Sequence, residues 1–194
     1  MAKGRSNTVR IIGGEWRRRL ITFPSARGLR PTPDRVRETL FNWLGQDLTG
    51  LSCLDLFAGS GAMGFEAASR GAARVVMVDS DREVAAALGE NARALAIPGL
   101  EVLRTDALQF AAAFGKSGGG GFDVLFLDPP YGQGLLERIA PYLPQLMNAA
   151  NEDAVIYAEA EHPLAALGDW SVRRQGRAGQ VCYHLLSRNS AHAE

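Results

Sequence analysis

The stretch LSCLDLFAGSGAMG, residues 51–64, decides the fold. Residues 51–57 form an apolar run that a single acid, Asp55, interrupts, which is typical of a strand buried on both faces. The glycines that follow match G-x-G-x-x-G, the pattern of a tight turn between a strand and a helix. Asp79 lies 20 residues beyond Gly59, where an acid binds a ribose in such folds. The stretch therefore predicts the first strand and turn of a nucleotide-binding α/β fold.

The sequence beyond this stretch alternates between strands and helices. We predict helices over 62–70, 81–95, 107–114 and 134–147, and further strands over 74–78, 100–104, 122–127, 153–159, 170–174 and 181–187. Such an alternation is typical of a doubly wound, mostly parallel sheet, here of seven strands. Because no helix separates the last two strands, we expect them to form a C-terminal antiparallel hairpin.

The N-terminal residues predict a small β-hairpin and helix that precede the α/β fold. Two β-prone stretches within residues 8–23 flank Gly13 and Gly14, which indicates a hairpin. Thr32 and Pro33 have the residue types of a helix cap and a first helical turn. The helix that follows carries apolar residues on one face: Val36, Leu40, Trp43 and Leu44.

The net charge of zero hides a basic N-terminal segment. Residues 1–37 carry ten Lys or Arg and two acids, a net charge of +8, and the remainder carries −8. A basic arm on an acidic body is typical of a protein whose arm meets a polyanion, with a solvated arginine-rich surface as the alternative. We predict a nucleic-acid-binding extension over 1–45 and a second domain over 46–194. The candidate phosphate contacts are Arg10, Arg17, Arg18, Arg19, Arg30, Arg35 and Arg37.

Composition excludes several classes of protein. The 194 residues, 46% apolar and 22% charged, fit one globular domain with an appendage. No apolar run approaches the roughly 20 residues that span a bilayer, and the N-terminus lacks the apolar segment of a signal peptide. We therefore expect a cytoplasmic protein without a membrane partner. Cys53 and Cys182 have no second Cys or His at metal-ligand spacing, so we expect neither a disulfide scaffold nor a metal site.

Asp55 indicates which nucleotide the glycine turn binds. A carboxylate there would repel the pyrophosphate of NAD, whereas it suits the ammonium group of S-adenosylmethionine. Asp79 then binds the ribose, and Asp106 meets the adenine amino group or, alternatively, caps the next helix. A turn without any ligand is the remaining alternative. The predicted cofactor-binding residues are Asp55, Phe57, Ala58, Gly59, Ser60, Gly61, Asp79, Asp106 and Ala107.

The tetrapeptide Asp128-Pro129-Pro130-Tyr131 follows the predicted strand 122–127 and supplies the predicted catalytic residues. Because the carboxyl ends of parallel strands meet at one edge, we expect Asp128 in the same crevice as the glycine turn. Asp128 and the Pro129 carbonyl can each accept one hydrogen of an exocyclic amine, which aims the nitrogen lone pair at the sulfonium methyl. Two prolines stiffen this arrangement, and the Tyr131 ring can stack on a base. The motif therefore predicts methyl transfer to the amine of a base.

Several motifs together resemble the RsmD-type small-subunit ribosomal RNA guanine-N2 methyltransferases. They are RIIGGEWR at 10–17, LRPTPDRVRETLFNWL at 29–44, DLFAGSG at 55–61, DPPY at 128–131 and GQVCY at 179–183. The resemblance implies a Rossmann-like class I methyltransferase fold and S-adenosylmethionine as cofactor. It also implies methylation of one guanine N2 in bacterial 16S rRNA, within a partly assembled small subunit. The sequence departs from this family at Asp79, where we expect Glu, and at residues 115–121, a glycine-rich insertion.

Two other classes of function share some of these features. A DNA adenine-N6 or protein-glutamine methyltransferase would use the same crevice, but neither requires the basic N-terminal segment. A non-catalytic RNA-binding module with a decayed cofactor pocket is the alternative outside the enzymes. The intact residues of the pocket argue against decay: Asp55, Gly59, Gly61, Asp79 and Asp128. We expect an active, monomeric enzyme.

Overall fold

The computed structural model describes residues 7–25, 31–115 and 120–189. The strands of the central sheet are Ser52–Asp55 (β3), Arg74–Asp79 (β4), Leu100–Arg104 (β5), Val124–Leu127 (β6), Val155–Ala160 (β7), Ala166–Leu167 (β8), Trp170–Ala178 (β9) and Val181–Arg188 (β10). A separate two-stranded sheet consists of Asn7–Arg10 (β1) and Leu20–Phe23 (β2). The α-helices are Asp34–Leu44 (α1), Ala62–Ser69 (α2), Arg82–Leu95 (α3), Ala107–Phe114 (α4), Leu135–Ile139 (α5) and Leu143–Leu146 (α6).

The central sheet has the strand order β5-β4-β3-β6-β7-β10-β9-β8. Neighbours from β5 to β7 are parallel, and this region confirms the doubly wound sheet that the sequence predicts. The chain builds outward from β3 in one direction through β4 and β5, then returns to place β6 on the other side of β3. The direction of winding therefore switches between β3 and β6, and ligands of such sheets bind at the carboxyl ends of the strands beside this switch.

The C-terminal strands form the expected antiparallel hairpin, in which β10 pairs with both β7 and β9. Among the residues that the structure describes, the sheet has eight strands rather than the predicted seven. The additional strand is β8, which pairs through Ala166 and Leu167 with the start of β9. Two residues are too few for a recognisable alternating pattern, so this strand has no signature in the sequence.

The N-terminal hairpin is present, with β1 and β2 antiparallel. Residues 11–19 connect the strands, so Gly13 and Gly14 lie within a longer loop and do not form a two-residue turn. The predicted cap of α1 is wrong by one residue. Pro33 occupies the N-cap position, and no described side chain caps the helix. The Thr32 hydroxyl instead donates to Glu159 Oε1 over 3.3 Å, because Thr32 is buried against β7.

The predicted helix over 134–147 is broken into three short pieces. Helix α5 gives way to a turn of 3₁₀ helix at Ala140–Tyr142, which is followed by α6. Pro141 and Pro144 lie in the first turns of the second and third pieces. Proline lacks an amide donor and fits only a first helical turn, so each proline starts a new piece.

The core lies on the two faces of the sheet. Helices α1, α2 and α3 contribute to one apolar cluster, and α4, α5 and α6 contribute to the other. The hairpin belongs to the first cluster through buried residues of both of its strands, including Val9, Ile21 and Phe23. The N-terminal segment therefore packs against the body, and the domain boundary after residue 45 stays a prediction.

Two sequence predictions lie outside the described residues. One is the phosphate contact at Arg30, and the other is most of the glycine-rich insertion, at residues 116–119. Within the described ranges, every helix falls short of the length and hydropathy that crossing a bilayer requires.

Candidate active site

Four carboxylates lie at the carboxyl ends of adjacent strands and form what we call the acidic crevice: Asp55, Asp79, Asp128 and Glu159. Asp55 and Asp79 end β3 and β4, Asp128 follows β6, and Glu159 lies one residue before the end of β7. Their charges act on one another, since Asp79 raises the pKa of Asp55, and Glu159 and Asp55 raise that of Asp128. The structure thus brings together the three predicted acids and one that the sequence analysis did not select.

The glycine turn connects β3 to α2 beside this crevice. Gly59 and Gly61 have φ angles of +49° and +79°, a region that glycine enters without strain. A Cβ on Gly61 would lie 2.6 Å from a Leu88 methyl carbon and 2.7 Å from the Phe65 ring. Glycine is therefore required at position 61 by the backbone conformation and by the tight packing of α2 against α3.

Asp55 is buried beneath the turn, where its Oδ2 accepts a hydrogen bond of 3.0 Å from the Gly64 amide. Burial raises the pKa of Asp55 to about 7, and the hydrogen bond from Gly64 only partly opposes this shift. The described residues place no cationic side chain within salt-bridge distance of Asp55. An unneutralised carboxylate of this kind favours a ligand that carries positive charge.

Asp79 holds the turn from the neighbouring strand. Its Oδ2 accepts from the Gly59 amide over 2.9 Å, and its Oδ1 accepts from the Asp81 amide over 2.8 Å. Burial raises the pKa of Asp79 even though both amides favour the charged form. Asp79 therefore ties the glycine turn to the start of α3, and each oxygen retains a lone pair for the predicted ribose contact.

Asp106 has the alternative role that the sequence analysis considered. Its Oδ1 caps α4 by accepting from the Leu108 amide over 2.9 Å and the Gln109 amide over 3.0 Å. Ala107, the first residue of α4, is buried. Asp106 is exposed at the carboxyl end of the sheet. Its observed role is the cap of α4, and its contact with an adenine amino group stays a prediction.

The remaining predicted cofactor residues lie in the turn itself. Ala58 and Ser60 are buried, while Phe57 is half-buried. The Ala58 amide donates to the Val78 carbonyl over 2.9 Å, and the Ser60 hydroxyl accepts from the Ala62 amide over 3.3 Å. These bonds fix the path of the turn, and the cofactor contacts of all three residues stay predictions.

Asp128 differs from the other acids because no described residue donates a hydrogen bond to its carboxylate. Burial is the main cause that raises its pKa well above the ordinary range, followed by the charges of Glu159 and Asp55. Pro129 is buried and Pro130 is exposed, so the chain leaves the core at this point. A partly buried carboxylate without a protein donor is able to accept a hydrogen bond from a ligand.

Tyr131 presents an aromatic face at the rim of the crevice. Its side chain is 44% exposed, which makes it one of two large hydrophobic residues that the described surface exposes. Burial of its inner part and the charges of Glu159 and Asp128 raise the pKa of its hydroxyl to about 12. The side chain is therefore neutral at physiological pH and accessible for stacking on a planar ligand.

Glu159 is the buried carboxylate that the sequence analysis missed. Its Oε1 accepts hydrogen bonds from the Tyr157 hydroxyl over 2.8 Å and from the Thr32 hydroxyl over 3.3 Å. The only signal in the sequence is an acid at a core position of β7, VIYAEA, whose residues 156–160 are all buried. The partner Thr32 lies 127 residues away in the chain, so no local pattern connects the two.

The predicted phosphate contacts divide into exposed and buried arginines. Arg17, Arg18 and Arg19 follow one another at the end of the hairpin loop, and all three are exposed. Arg10 and Arg35 are also exposed. Within the described ranges, none of these five arginines forms a salt bridge. Their positions are compatible with the predicted contacts to a polyanion, which stay predictions.

The prediction that Arg37 contacts nucleic acid is wrong, because the structure buries its guanidinium completely. Nη1 lies 2.7 Å from Glu66 Oε1, and Nη2 lies 2.6 Å from Asp34 Oδ1. Nη1 also donates to the Arg10 carbonyl over 3.0 Å, and Glu66 pairs with Arg70 as well. Arg37 therefore fastens the N-terminal segment to α2 inside the protein.

The chain is similar in sequence to known ribosomal RNA methyltransferases. The family described as Conserved hypothetical protein 95 matches residues 9–187. The chain is 43% identical over 188 residues to the ribosomal RNA small subunit methyltransferase D of Escherichia coli, covering 95% of this chain and 92% of that relative. The enzyme of the same name from Haemophilus influenzae is 40% identical over 181 residues, covering 91% of this chain and 92% of the relative.

A solved structure extends the agreement to the fold. A putative methyltransferase from Escherichia coli superimposes with a TM-score of 0.82 and 43% identity, covering 94% of this chain and 99% of that one. The similarity thus spans the N-terminal segment as well as the parallel sheet. Sequence and fold together confirm the resemblance inferred from the motifs, and the chain belongs to the RsmD family of small-subunit ribosomal RNA methyltransferases.

Proposed function

We propose that the protein transfers the methyl group of S-adenosylmethionine to the exocyclic N2 amine of one guanine in 16S rRNA. The observation that carries this proposal is the carboxylate of Asp128, which is partly buried beside the glycine turn and receives no hydrogen bond from any described residue. The names of the relatives support rRNA as the substrate and methyl transfer as the reaction.

The charges of the acidic crevice fit S-adenosylmethionine. Its sulfonium and ammonium groups are cations, and the described part of the chain offers no cation of its own to Asp55, Asp79 or Asp128. When bound, the cofactor supplies an electrophilic methyl group on sulfur, and the sulfur keeps the bonding electron pair as a neutral thioether. Asp55 and Asp79 would hold its cationic end and its ribose. The same positive charge favours the ionised form of Asp128, in which both oxygens are acceptors and the carboxylate can take up a proton.

Asp128 and the backbone of Pro129 orient the acceptor amine. The amine of guanine is a weak nucleophile because its lone pair is delocalised into the ring. Hydrogen bonds from the amine to the Asp128 carboxylate and to the Pro129 carbonyl favour a pyramidal nitrogen whose lone pair forms the new bond to carbon. One amine proton then leaves, and Asp128 is placed to accept it. Orientation within a rigid proline turn contributes most of the rate enhancement.

Tyr131 binds the base and the basic N-terminal segment binds the RNA around it. A base enters this crevice only after it leaves its stack, and an exposed aromatic ring beside Asp128 compensates for the lost stacking. The exposed arginines of the hairpin loop supply contacts to phosphates that do not depend on sequence. We further propose that a partly assembled small subunit presents the target. We also propose that the enzyme acts in the cytoplasm as a monomer and without a metal ion.

The test is methylation of 16S rRNA with labelled S-adenosylmethionine, using naked rRNA in one reaction and partly assembled small subunits in another. We expect label in N2-methylguanosine at a single position, with faster transfer to the subunits. Label in N6-methyladenosine or in ribosomal protein, or transfer to DNA in a third reaction, would refute the assignment and favour another amino methyltransferase. Binding of rRNA without any transfer would favour the non-catalytic RNA-binding module. A matched reaction with Asp128→Ala shows whether transfer depends on the crevice.

A further inference from the structure

Glu159 is a buried carboxylate beside Asp128, but methyl transfer as described above gives it no role. The parallel register pairs Leu127 with Ala158, so Asp128 and Glu159 are the next residues along β6 and β7. On its other side, Glu159 pairs in register with Tyr183 of β10. Glu159 is buried, and its charge raises the pKa of Asp128. The two carboxylates therefore face the same small volume at the edge of the sheet.

The surroundings of Glu159 hold its carboxylate in one orientation. Both protein donors, the hydroxyls of Tyr157 and Thr32, bind the same oxygen, Oε1. No hydrogen bond from residues 7–25, 31–115 or 120–189 reaches Oε2. A buried carboxylate is costly unless it is hydrogen-bonded. Burial raises the pKa of Glu159, and the hydroxyls of Tyr157 and Thr32 partly oppose this shift because they stabilise the charged form. Oε2 thus remains as a hydrogen-bond acceptor of fixed position beside Asp128.

The Watson–Crick edge of guanine is complementary to two adjacent carboxylates. It presents the N2 amine and, next to it, the N1–H group, so both positions are donors. In adenine and cytosine the atom beside the exocyclic amine is a ring nitrogen with a lone pair, which would face a carboxylate unfavourably. A site built to accept from an N–H rejects an analogue that lacks it, because its buried polar group is then unpaired. A second carboxylate beside Asp128 therefore distinguishes guanine from the other bases that carry an amine.

We propose that Glu159 is the residue that selects guanine, by accepting the N1–H of the target base while Asp128 accepts a hydrogen of its N2 amine. This inference rests on the proposed function and specifies how the same site recognises its base. Tyr157 and Thr32 act through Glu159 as positioning residues. Thr32 belongs to the segment that leads into α1, so the N-terminal part of the chain contributes to base selection as well as to RNA binding.

The experiment replaces the target guanine with 2-aminopurine in rRNA assembled into small subunits. This base keeps the 2-amine, but its N1 carries a lone pair and no hydrogen. We expect the wild-type enzyme to prefer guanine by about 100-fold or more in kcat/KM. Glu159→Gln places an amide N–H opposite N1, so it should slow guanine methylation by about 100-fold and accelerate methylation of 2-aminopurine. A purely structural role for Glu159 would slow both substrates alike and leave the preference unchanged.

Controls separate this proposal from the proposed function. Glu152→Gln makes the same chemical change at an exposed residue before β7 and should leave rate and preference unchanged. Thr32→Val removes one hydroxyl donor and keeps the carboxylate, and should lower the preference about 5- to 10-fold. Equal wild-type rates on guanine and 2-aminopurine would overturn the role of Glu159 while leaving guanine methylation intact. A wild-type enzyme inactive on all rRNA would instead contradict the proposed function.

Discussion

The acidic crevice and the arginines at residues 17–19 carry charges of opposite sign, and they differ in their exposure to solvent. The crevice carboxylates are largely buried, and backbone amides hold Asp55 and Asp79 in place. The arginines are exposed and form no salt bridge within the described part of the chain. The folded chain thus fixes the geometry of the crevice, whereas the arginines depend on a partner for theirs. Variants in the crevice should alter chemistry, and variants in the loop should alter RNA affinity and its response to salt.

Asp128→Ala should produce the largest effect on either side of this comparison. Removing the carboxylate that orients the amine and accepts its proton should lower the methylation rate by about 10³-fold or more. The affinity for S-adenosylmethionine should stay within a few fold, as titration calorimetry can measure. Tyr131→Phe should remain active because stacking requires only the ring, and Tyr131→Ala should lose most activity. An Asp128→Ala enzyme of normal rate would remove the crevice from the mechanism.

Arg37→Met tests the arginine that belongs to neither region. Its buried guanidinium pairs with the buried Glu66 and the exposed Asp34, so its loss leaves part of the Glu66 charge uncompensated in the interior. We expect the free energy of unfolding in urea to fall by about 3–5 kcal/mol. Arg35→Ala, an exposed residue of the same helix, serves as control and should change it by less than about 0.5 kcal/mol. Equal stability of the two variants would contradict the assignment of Arg37 to the interior.

Asp55→Asn should flatten the dependence of stability on pH. The pKa of Asp55 is raised from 3.8 to about 7, so the folded protein holds a proton that the unfolded chain releases near pH 4. Stability from this group is therefore fully present below about pH 4 and declines up to about pH 7, by about 1.4 kcal/mol for each unit of pKa difference. The wild type should lose this stability across the interval, and Asp55→Asn should not. If the free energy of unfolding in urea depended on pH in the same way for the wild type and Asp55→Asn, Asp55 would have an ordinary pKa in the folded protein.

Replacing Arg17, Arg18 and Arg19 with Ala should have the smallest effect on the enzyme at saturating RNA. RNA affinity should fall, and the slope of log affinity against log salt should flatten by up to about one unit for each phosphate that the variant no longer binds. The affinity for S-adenosylmethionine should not change. As control, Arg93→Ala with Arg138→Ala removes two exposed charges of the body and should leave the slope unchanged. Identical slopes for both variants and the wild type would show that the arginines of the loop do not contact RNA phosphates.

The parts of the site that the sequence predicts are the local ones. The glycine turn and the Asp128 tetrapeptide each end a buried strand, so a short pattern determines where they lie once the sheet is parallel. Glu159 escapes prediction because its partner Thr32 comes from a segment 127 residues earlier. Its importance arises from packing between β7 and the start of α1, and no local spacing encodes that contact.

Arg37 illustrates a different error. Its predicted role is based on the basic composition of its segment and not on its position on the helix. It lies four residues before Phe41 on α1, and both side chains are buried on the same face. The basic composition of its segment predicts a surface residue, although the helical spacing places it beside core residues. Its partner Glu66 lies on α2, so the ion pair depends on how these two helices pack, which the sequence pattern does not encode.

Single-turnover methylation at saturating RNA tests the division between the two regions most directly. At saturation, the rate reports chemistry alone, because differences in RNA affinity no longer matter. We expect the triple variant of residues 17–19 to react at close to the wild-type rate, and Asp128→Ala, with RNA fully bound, to react about 10³-fold more slowly. A triple variant that remains as slow as Asp128→Ala at saturation, or an Asp128→Ala enzyme that reacts at the wild-type rate, would contradict the account.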